Sequence, residues 1–583
     1  MNLKGIWQLK KIAMRNLARH KVKTFLTSAA IMVSVAVYIF LNSWLGGMAI
    51  ESRRNIVNFE IGAAKLQTKI YFEKKDEMPS YENFKGWEIY QAALDGEGYN
   101  SAPRYIFSGT MFSSSGSAPI LIHAVDPASE LNTLRYAYDK TRDVSYVDFG
   151  RYIENGNFEI VLGAVAAEKL KVGIPTRPFR NELESLIASL TNNTSDADFI
   201  RSLYDIAPPP LDPFSPPEKV TEGNERMILK RNVSRQDLDR YWDMIAATSR
   251  NDVRINAVID IKAVPEYIRG DKWDGELWPA LRTEDQQLVR NAYEYEDFFG
   301  AYLLAETDEY QLNLVLDAMI RAGYQGAVRH VNQLLTVTVV GIINCPAPLP
   351  NGNTAYIPLD VLQDEAGMML EGAVTELVIR DRNIPDTVLP GQSESSAAIS
   401  AALKRGLAAQ GLAFPEELAV YTWQDIMDDY LGYEALQTGA PQVLAFLLFI
   451  LSFLGISNTI LLAILERTKE TGMMRAMGMT NGQMIITYML EAGFLGFIGS
   501  VLGIILGCLI NYPVVKYGID FSAMADTLSG GIGFRTTGIF RSVWNIPLII
   551  QTGIVATLIS SFMAFFPTRK AVKMAITESL RFE

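Results

Sequence analysis

Residues 466–483 read ERTKETGMMRAMGMTNGQ, a charged stretch set between two long apolar runs. Ala435–Leu465 before it holds no charged residue, and Met484–Val515 after it holds only Glu491. About 20 apolar helical residues cross a hydrocarbon core of about 30 Å, so both runs are long enough to span a bilayer. The stretch between them is then a connector on one side of a membrane. It opens with Glu466 and Glu470 and carries Arg475 more than a turn later, the order that complements a helix dipole. Gly472 and Gly478 permit close approach or helix termination, and Met473, Met474 and Met477 add soft apolar contact area. A solvated turn and a docking surface both fit these residues.

Two further apolar runs complete the membrane part. Thr24–Ile50 is uncharged and follows Lys21 and Lys23; Ser542–Thr568 ends at Arg569, Lys570 and Lys573. The first is too long for the core of a signal peptide and reads as a retained helix. The predicted spans are residues 24–48, 435–465, 484–515 and 542–568. Positively charged flanks mark the cytoplasmic side, which places both termini and the connector inside and residues 49–434 outside, with a short external loop at 516–541 and a tail at 569–583. Before the first span, Leu3, Ile6, Trp7, Ala13, Met14 and Leu17 recur at helical spacing against Lys4, Lys11, Arg15 and Arg19. Residues 1–23 therefore suit a basic amphipathic helix lying on anionic membrane lipid.

Charge divides along the same boundaries. Residues 46–434 hold 36 Lys+Arg and 58 Asp+Glu, a net of −22, whereas the rest of the 583-residue chain sums to +10. A hydrophobic share of 49% with a mean hydropathy of only +0.10 requires a large water-exposed part beside the spans. The third span carries Gly493, Gly496, Gly499, Gly503 and Gly507, a small-residue strip that lets helix backbones approach. Packing within the chain and packing between two copies both fit it. Glu491 lies about two turns from the connector, a depth that suits an interfacial or structural role.

Three stretches carry a family resemblance. Glu466, Arg467, Glu470, Gly472, Arg475, Ala476 and Gly478 match in place the pattern E-R-[ST]-[KR]-E-[IT]-G-x-x-[RK]-A-[LM]-G, with Thr468, Lys469 and Met473 between them. This resembles the coupling helix of ABC-transporter permeases in the superfamily of lipoprotein-releasing permeases, macrolide exporters and the cell-division FtsX type. The opening MRNLARHKVKT (14–24) and the closing FFPTRKAVKMAITESLRFE (565–583) resemble the framing motifs of the same superfamily. Within the acidic block, ILIHAVDPASEL (120–131), VLGAVAAEKLKVGIP (161–175) and TVVGIINCPAPLPNGNTAYIPLDVLQ (338–363) resemble segments of lipoprotein-releasing permeases, with Ala124 in place of a usual glycine. Residues 176–335 match little and read as an insertion or a divergent subdomain.

The acidic block otherwise reads as mixed α+β. Leu335–Ile343 and Val374–Arg380 have strand character, Ile106–Ala124 suits short strands and turns, and Ser234 caps a helix running to about Ser249. APPPLDPFSPP (207–217) reads as an extended linker. Cys345 and Cys508 fall in different parts and are not expected to pair. His20, His123 and His330 lack metal-ligand spacing, no calcium-loop pattern occurs, and no G-x-S-x-G elbow is present. The net-acidic block argues against nucleic acid as a partner. No G-x-x-x-x-G-K-[ST] loop cradles a nucleotide, so the chain is expected to be no enzyme and to bind no cofactor or metal itself.

The fold class expected is a membrane protein of four transmembrane α-helices with a large α+β extracytoplasmic domain between helices 1 and 2. The resemblance implies a cytoplasmic ABC ATPase subunit holding the connector and supplying ATP and Mg. It also implies a second permease copy or related permease, since four helices enclose little space, and a location in the cytoplasmic (inner) membrane. Clients implied are lipoproteins or other hydrophobic molecules, with a possible periplasmic partner. Macrolide-type efflux, a scaffold activating a cell-wall hydrolase, and a tethered external enzyme or receptor remain open.

Overall fold

The computed structural model describes residues 21–134, 138–139, 144–207, 225–230, 232–307, 309–324, 327–365, 372–385, 388–466, 468–520 and 539–573. These form two compact units: residues 21–53, 427–520 and 539–573 in one, and residues 54–426 in the other. The basic stretch 1–20, the proline-rich run at 208–217 and the closing residues 574–583 lie outside the described residues.

The first unit is helical. Its elements are α1 (Lys21–Ile56), α2 (Asp428–Glu466), the short α3 (Thr468–Ala476), α4 (Asn481–Tyr517) and α5 (Ile546–Met563). Among the described residues, four helices are long and apolar enough to cross a membrane, one overlapping each predicted run. Their bounds differ from the apolar runs, because caps and polar partners end a helix rather than composition alone. α1 continues past residue 48 through Glu51, Arg53 and Arg54, and α2 begins at Asp428 rather than Ala435. The two polar extensions satisfy one another: Arg53 Nε donates to Glu434 Oε2 at 2.7 Å, and the Ser52 and Tyr430 hydroxyls lie 2.7 Å apart. α5 starts at Ile546, four residues later than predicted, where the Asn545 side chain accepts from the Leu548 N–H. Ser542 is used otherwise: its hydroxyl donates to Asn511 Oδ1 at 2.6 Å, and the Asn511 amide donates to the Val543 carbonyl at 3.3 Å. Asn511 is fully buried, so this pairing satisfies a polar side chain inside an apolar unit. Of the predicted loop at 516–541, the described ends pair as two short strands, Ile519–Asp520 with Ile539–Phe540.

Packing in this unit centres on α4. Ile31, Val35 and Ile39 of α1, Phe449 and Phe453 of α2, and Met484 and Tyr488 of α4 share a core with Ile549 and Ala556 of α5. Leu436, Leu447, Ile505, Leu509, Ile554 and Leu558 are more than half exposed, an apolar exterior suited to lipid. Helix-interior hydroxyls bond back to their own helix, as Thr552 does to the Leu548 carbonyl.

The second unit is built on a ten-stranded sheet. Its strands are β1 (Ala64–Thr68), β2 (Tyr99–Phe112), β3 (Ser117–Val125), β4 (Val147–Gly150), β5 (Glu159–Gly163), β6 (Asp252–Ala263), β7 (Ala327–Ile343), β8 (Thr354–Pro358), β9 (Glu376–Asp381) and β10 (Leu418–Thr422). They run in the order β6-β7-β5-β8-β3-β2-β9-β1-β10, with β4 beside β7. β7–β5 and β8–β3 are parallel; the other pairings are antiparallel. β6 also pairs with the far half of β2, Ala257 opposite Gly109, so the sheet curls until six strands close on themselves. A Cβ at Gly109 would lie 2.9 Å from the Asn256 carbonyl oxygen, which explains a glycine within a long strand. Ile106–Ala124 is thus not a set of short strands: its Ser and Gly residues belong to a hairpin of fourteen- and nine-residue strands.

The region 176–335 is not one detached insertion. β6 and most of β7 lie in the main sheet, and Leu183, Ile187, Tyr241 and Ile245 of its helices enter the main core. Among the described residues of this region, about 264–324 have a core of their own around Trp273, Val289 and Met319, with a three-stranded sheet of Tyr267–Arg269, Ala301–Leu304 and Tyr293–Glu296.

The stretch after β3 shows how sequence dictates a local structure. Asp126 caps the helix Pro127–Thr133 by accepting from the Ser129 N–H at 3.0 Å, and Pro127 occupies its first position, where no N–H is needed. Glu130, one turn on, is fully buried and accepts from Arg104 Nε at 2.8 Å. Arg104 also donates to the Glu60 carbonyl at 2.8 Å and lies 3.6 Å from Glu376, whose other oxygen takes Lys65 at 2.8 Å and Gln67 at 2.9 Å.

His123 borders this network on β3. It is 2% exposed, lies edge-on to Tyr356 with ring centroids 5.3 Å apart, and neither ring nitrogen has a hydrogen-bond partner among the described residues. Burial, then the charges of Arg104 and Lys65, holds its pKa well below the ordinary 6.5. Below that pH the unfolded chain binds a proton that the folded chain refuses. Stability is unaffected above this range and falls as pH drops through it, by up to about 1.4 kcal/mol per pH unit. His123→Phe is expected to flatten the melting temperature of the sheet unit between about pH 6.5 and 5. Identical pH profiles for the two proteins would remove His123 as the cause.

Candidate functional site

The connector is assembled from three pieces rather than one helix. Glu466 closes α2, Thr468 and Lys469 open α3, and Arg467 lies outside the described residues. Glu470 stands in the first turn of α3 and Arg475 in its last, so both complement the helix dipole. The end is made by Gly478. Its φ of +98° is in the left-handed region that favours glycine, its N–H bonds the Arg475 carbonyl at 3.0 Å, and the Met479 N–H bonds the Met474 carbonyl at 3.1 Å. Thr480 then starts α4 through a capping box: the Thr480 N–H bonds Gln483 Oε1 at 2.9 Å and the Gln483 N–H bonds Thr480 Oγ1 at 3.3 Å. Asn481–Gln483 are therefore the first turn of α4, not part of the connector.

α3 has two unlike sides. Gly472 is buried and Met474 packs against the helical core. Glu470, Met473 and Met477 are spaced three and four residues apart on one side and are exposed, Met477 at 81%. Ala476 is exposed as well, with Arg475 half-buried beside it. This is a small apolar surface rimmed by charge, on a helix tied at both ends to long helices.

The glycines of α4 face other helices of the same chain. A Cβ at Gly499 or Gly503 would lie 2.7 Å from Ile31 or Val35 of α1, and one at Gly507 would lie 3.2 Å from Ala36. Gly496 meets Ser560 of α5 at 2.6 Å and Gly493 meets Ser561 at 3.4 Å. Glu491 is half-buried on α4, ten residues from its start. Among the described residues no group of three or more His, Cys, Asp or Glu is placed to hold a metal ion. Cys345 is buried and Cys508 lies on α4; both are free thiols.

Sequence reasoning missed the buried Arg104–Glu130–Glu376–Lys65 network and a cavity in the sheet unit lined by Arg177, Arg226 and Arg250. The D-P-x-x-E spacing was a signal for the first; the second is drawn from separate stretches and had none.

Four helices long and apolar enough to cross a membrane, with a short helix between the second and third, suit a multi-pass membrane protein. Residues 443–576, which cover most of α2 and all of α3 to α5, match the FtsX-like permease C-terminal family. The chain is 30% identical over 129 residues to an uncharacterized ABC transporter permease of Methanocaldococcus jannaschii, covering 22% of this chain and 29% of that protein. It is 30% identical over 135 residues to the ABC transporter permease YtrF of Bacillus subtilis, covering 23% and 30%. Against the macrolide export ATP-binding/permease protein MacB of Escherichia coli it is 28% identical over 130 residues, covering 22% and 17%. The chain thus spans three-tenths or less of the length of these relatives. Residues 443–576 are thus similar to the C-terminal part of FtsX/MacB-type ABC permeases.

Proposed function

We propose that this chain is a permease subunit that passes the ATP-driven motion of a separate ATPase to its sheet unit, and thereby moves a lipoprotein or another hydrophobic client out of the membrane. The observation that carries this reading is α3, whose exposed Glu470, Met473 and Met477 stand on a helix wedged between two apolar helices. A methionine-rich face re-packs readily against a partner that changes shape. Charge supports the orientation: the basic flanks of the apolar runs favour the cytoplasm for both termini and α3, and the net −22 of residues 46–434 suits the opposite side. Four helices line little space, which favours a second permease copy or a related chain. Support for the lipoprotein-releasing type comes from the three stretches that resemble it, since they fold onto the neighbouring strands β7, β5, β8 and β3. Efflux of an amphiphile is the second reading, favoured by the similarity to MacB.

The test is the double variant Glu470→Gln, Arg475→Gln, assayed with the co-purified ATPase in proteoliposomes. Release of client is expected to fall at least tenfold while ATP hydrolysis and membrane insertion persist. Release at the normal rate, or a chain that purifies with no ATPase, would overturn the reading.

A further inference from the structure

The sheet unit holds a cavity of about 590 Å³ between β7, the end of β4 and the helices Ala164–Leu170 and Arg180–Leu190. That volume is within the range of small-molecule sites, roughly 300–1,000 Å³. Its floor is apolar: Phe149, Ala164, Val172, Ile174 and Ile342 line it. Four cations and two acids also face it, and their pairing is uneven. Lys171 Nζ lies 3.0 Å from Glu182, and Arg226 stacks over the Phe179 ring at 4.0 Å. Arg177 and Arg250 have no carboxylate within ion-pair distance among the described residues, and the buried Nε of Arg250 has no acceptor there. A half-buried cation without a counter-ion is costly, and nothing in the cavity's own described lining offsets it. Burial also pushes the Arg250 pKa below its ordinary value, an effect that the nearby Tyr241 and Tyr204 oxygens oppose.

We infer that this cavity binds an anionic amphiphile of small-molecule size, its carboxylate or phosphate head on Arg250 and Arg177 and its apolar body on the floor. A guanidinium presents a fork of donors that matches either head group, and an unpaired one gains most from a ligand that brings the charge with it. An inorganic anion would leave the apolar floor wet, and a neutral lipid would bring no charge to two guanidiniums that have no carboxylate within ion-pair distance among the described residues. The inference stands apart from the coupling role of α3, which belongs to the other unit.

The test is fluorescence titration of 11-(dansylamino)undecanoate into the full-length protein in nanodiscs, with empty discs subtracted. Saturable binding is expected, at least tenfold weaker for Arg250→Gln, while the methyl ester of the probe binds both proteins weakly. Because Arg250→Gln removes a half-buried charge with no carboxylate partner among the described residues, its melting temperature should not fall, which separates lost binding from lost folding. Ser185→Trp, at an exposed rim position, serves as a second variant that should block the probe without touching either guanidinium. Displacement by myristate would identify a fatty carboxylate as the source and displacement by a lysophosphatidate a lipid phosphate; either supports the site. Equal affinity in wild type and Arg250→Gln, an ester that binds as well as the acid, or displacement by inorganic phosphate alone would overturn it.

Discussion

Arg104→Leu is expected to be the most damaging single substitution in the sheet unit, costing about 3–5 kcal/mol, the range for breaking one side of a buried ion pair. Arg104 is 1% exposed, bonds Glu130 through two of its nitrogens, and approaches Glu376 to 3.6 Å. Its loss strips Glu130 of that cation in a site no water reaches. Glu376 still has Lys65 and Gln67 and is less affected. The double variant Arg104→Leu, Glu130→Leu should therefore recover part of the loss, since well-packed apolar groups often replace a buried pair at little cost. Thermal unfolding measures both: a fall on the order of 10 °C for the single variant and a smaller one for the double. Arg405→Leu, which removes an exposed partner of Glu97, supplies the comparison and should change little. A single variant as stable as Arg405→Leu would mean that the network contributes nothing net.

The same network marks where the sequence could be read and where it could not. The D-P-x-x-E spacing at Asp126–Glu130 is visible in the sequence, but its partner Arg104 lies on β2, and only the β2–β3 register brings the two together. The four apolar runs were legible because a span needs an uninterrupted stretch of a known length. Their ends were not. α2 starts at Asp428 because Tyr430 and Glu434 find Ser52 and Arg53, residues about 380 positions away in the chain. α5 starts late because Asn511 claims Ser542. Within the connector, the dipole order of Glu470 and Arg475 and the stop at Gly478 were readable, whereas the capping box at Thr480 moved three residues from the connector into α4. The strand pattern of β7 was readable from its β-branched residues, but the closure of β6 onto β2 at Gly109 was not, since a glycine in a strand signals a close approach without naming what approaches.

The glycine strip of α4 gives the second large effect, and it should be graded along the helix. At Gly496, Gly499 and Gly503 an added Cβ falls at 2.6 or 2.7 Å from a neighbouring Cβ or, at Gly503, also the Met32 carbonyl oxygen, so a helix must shift. At Gly507 and Gly493 the nearest atoms are 3.2 and 3.4 Å away and small adjustments suffice. Alanine at Gly496, Gly499 or Gly503 is expected to cost roughly 1–3 kcal/mol by overpacking, and alanine at Gly493 or Gly507 well under that. Gly503→Leu should abolish the folded helical unit, because it drives α1 away from α4 where Val35 and Ile39 enter the shared core. Unfolding in detergent, followed as the fraction of monodisperse protein against temperature, reads the series. The order matters as much as the size. If the strip were instead a surface between two copies, all five alanine variants would keep the monomer's melting temperature and differ only in self-association. A flat series would thus remove the contacts to α1 and α5 as the reason for these glycines. A graded one ties the strip to the packing that makes α4 stiff, which a helix leading directly out of α3 needs if movement of one is to be carried by the other.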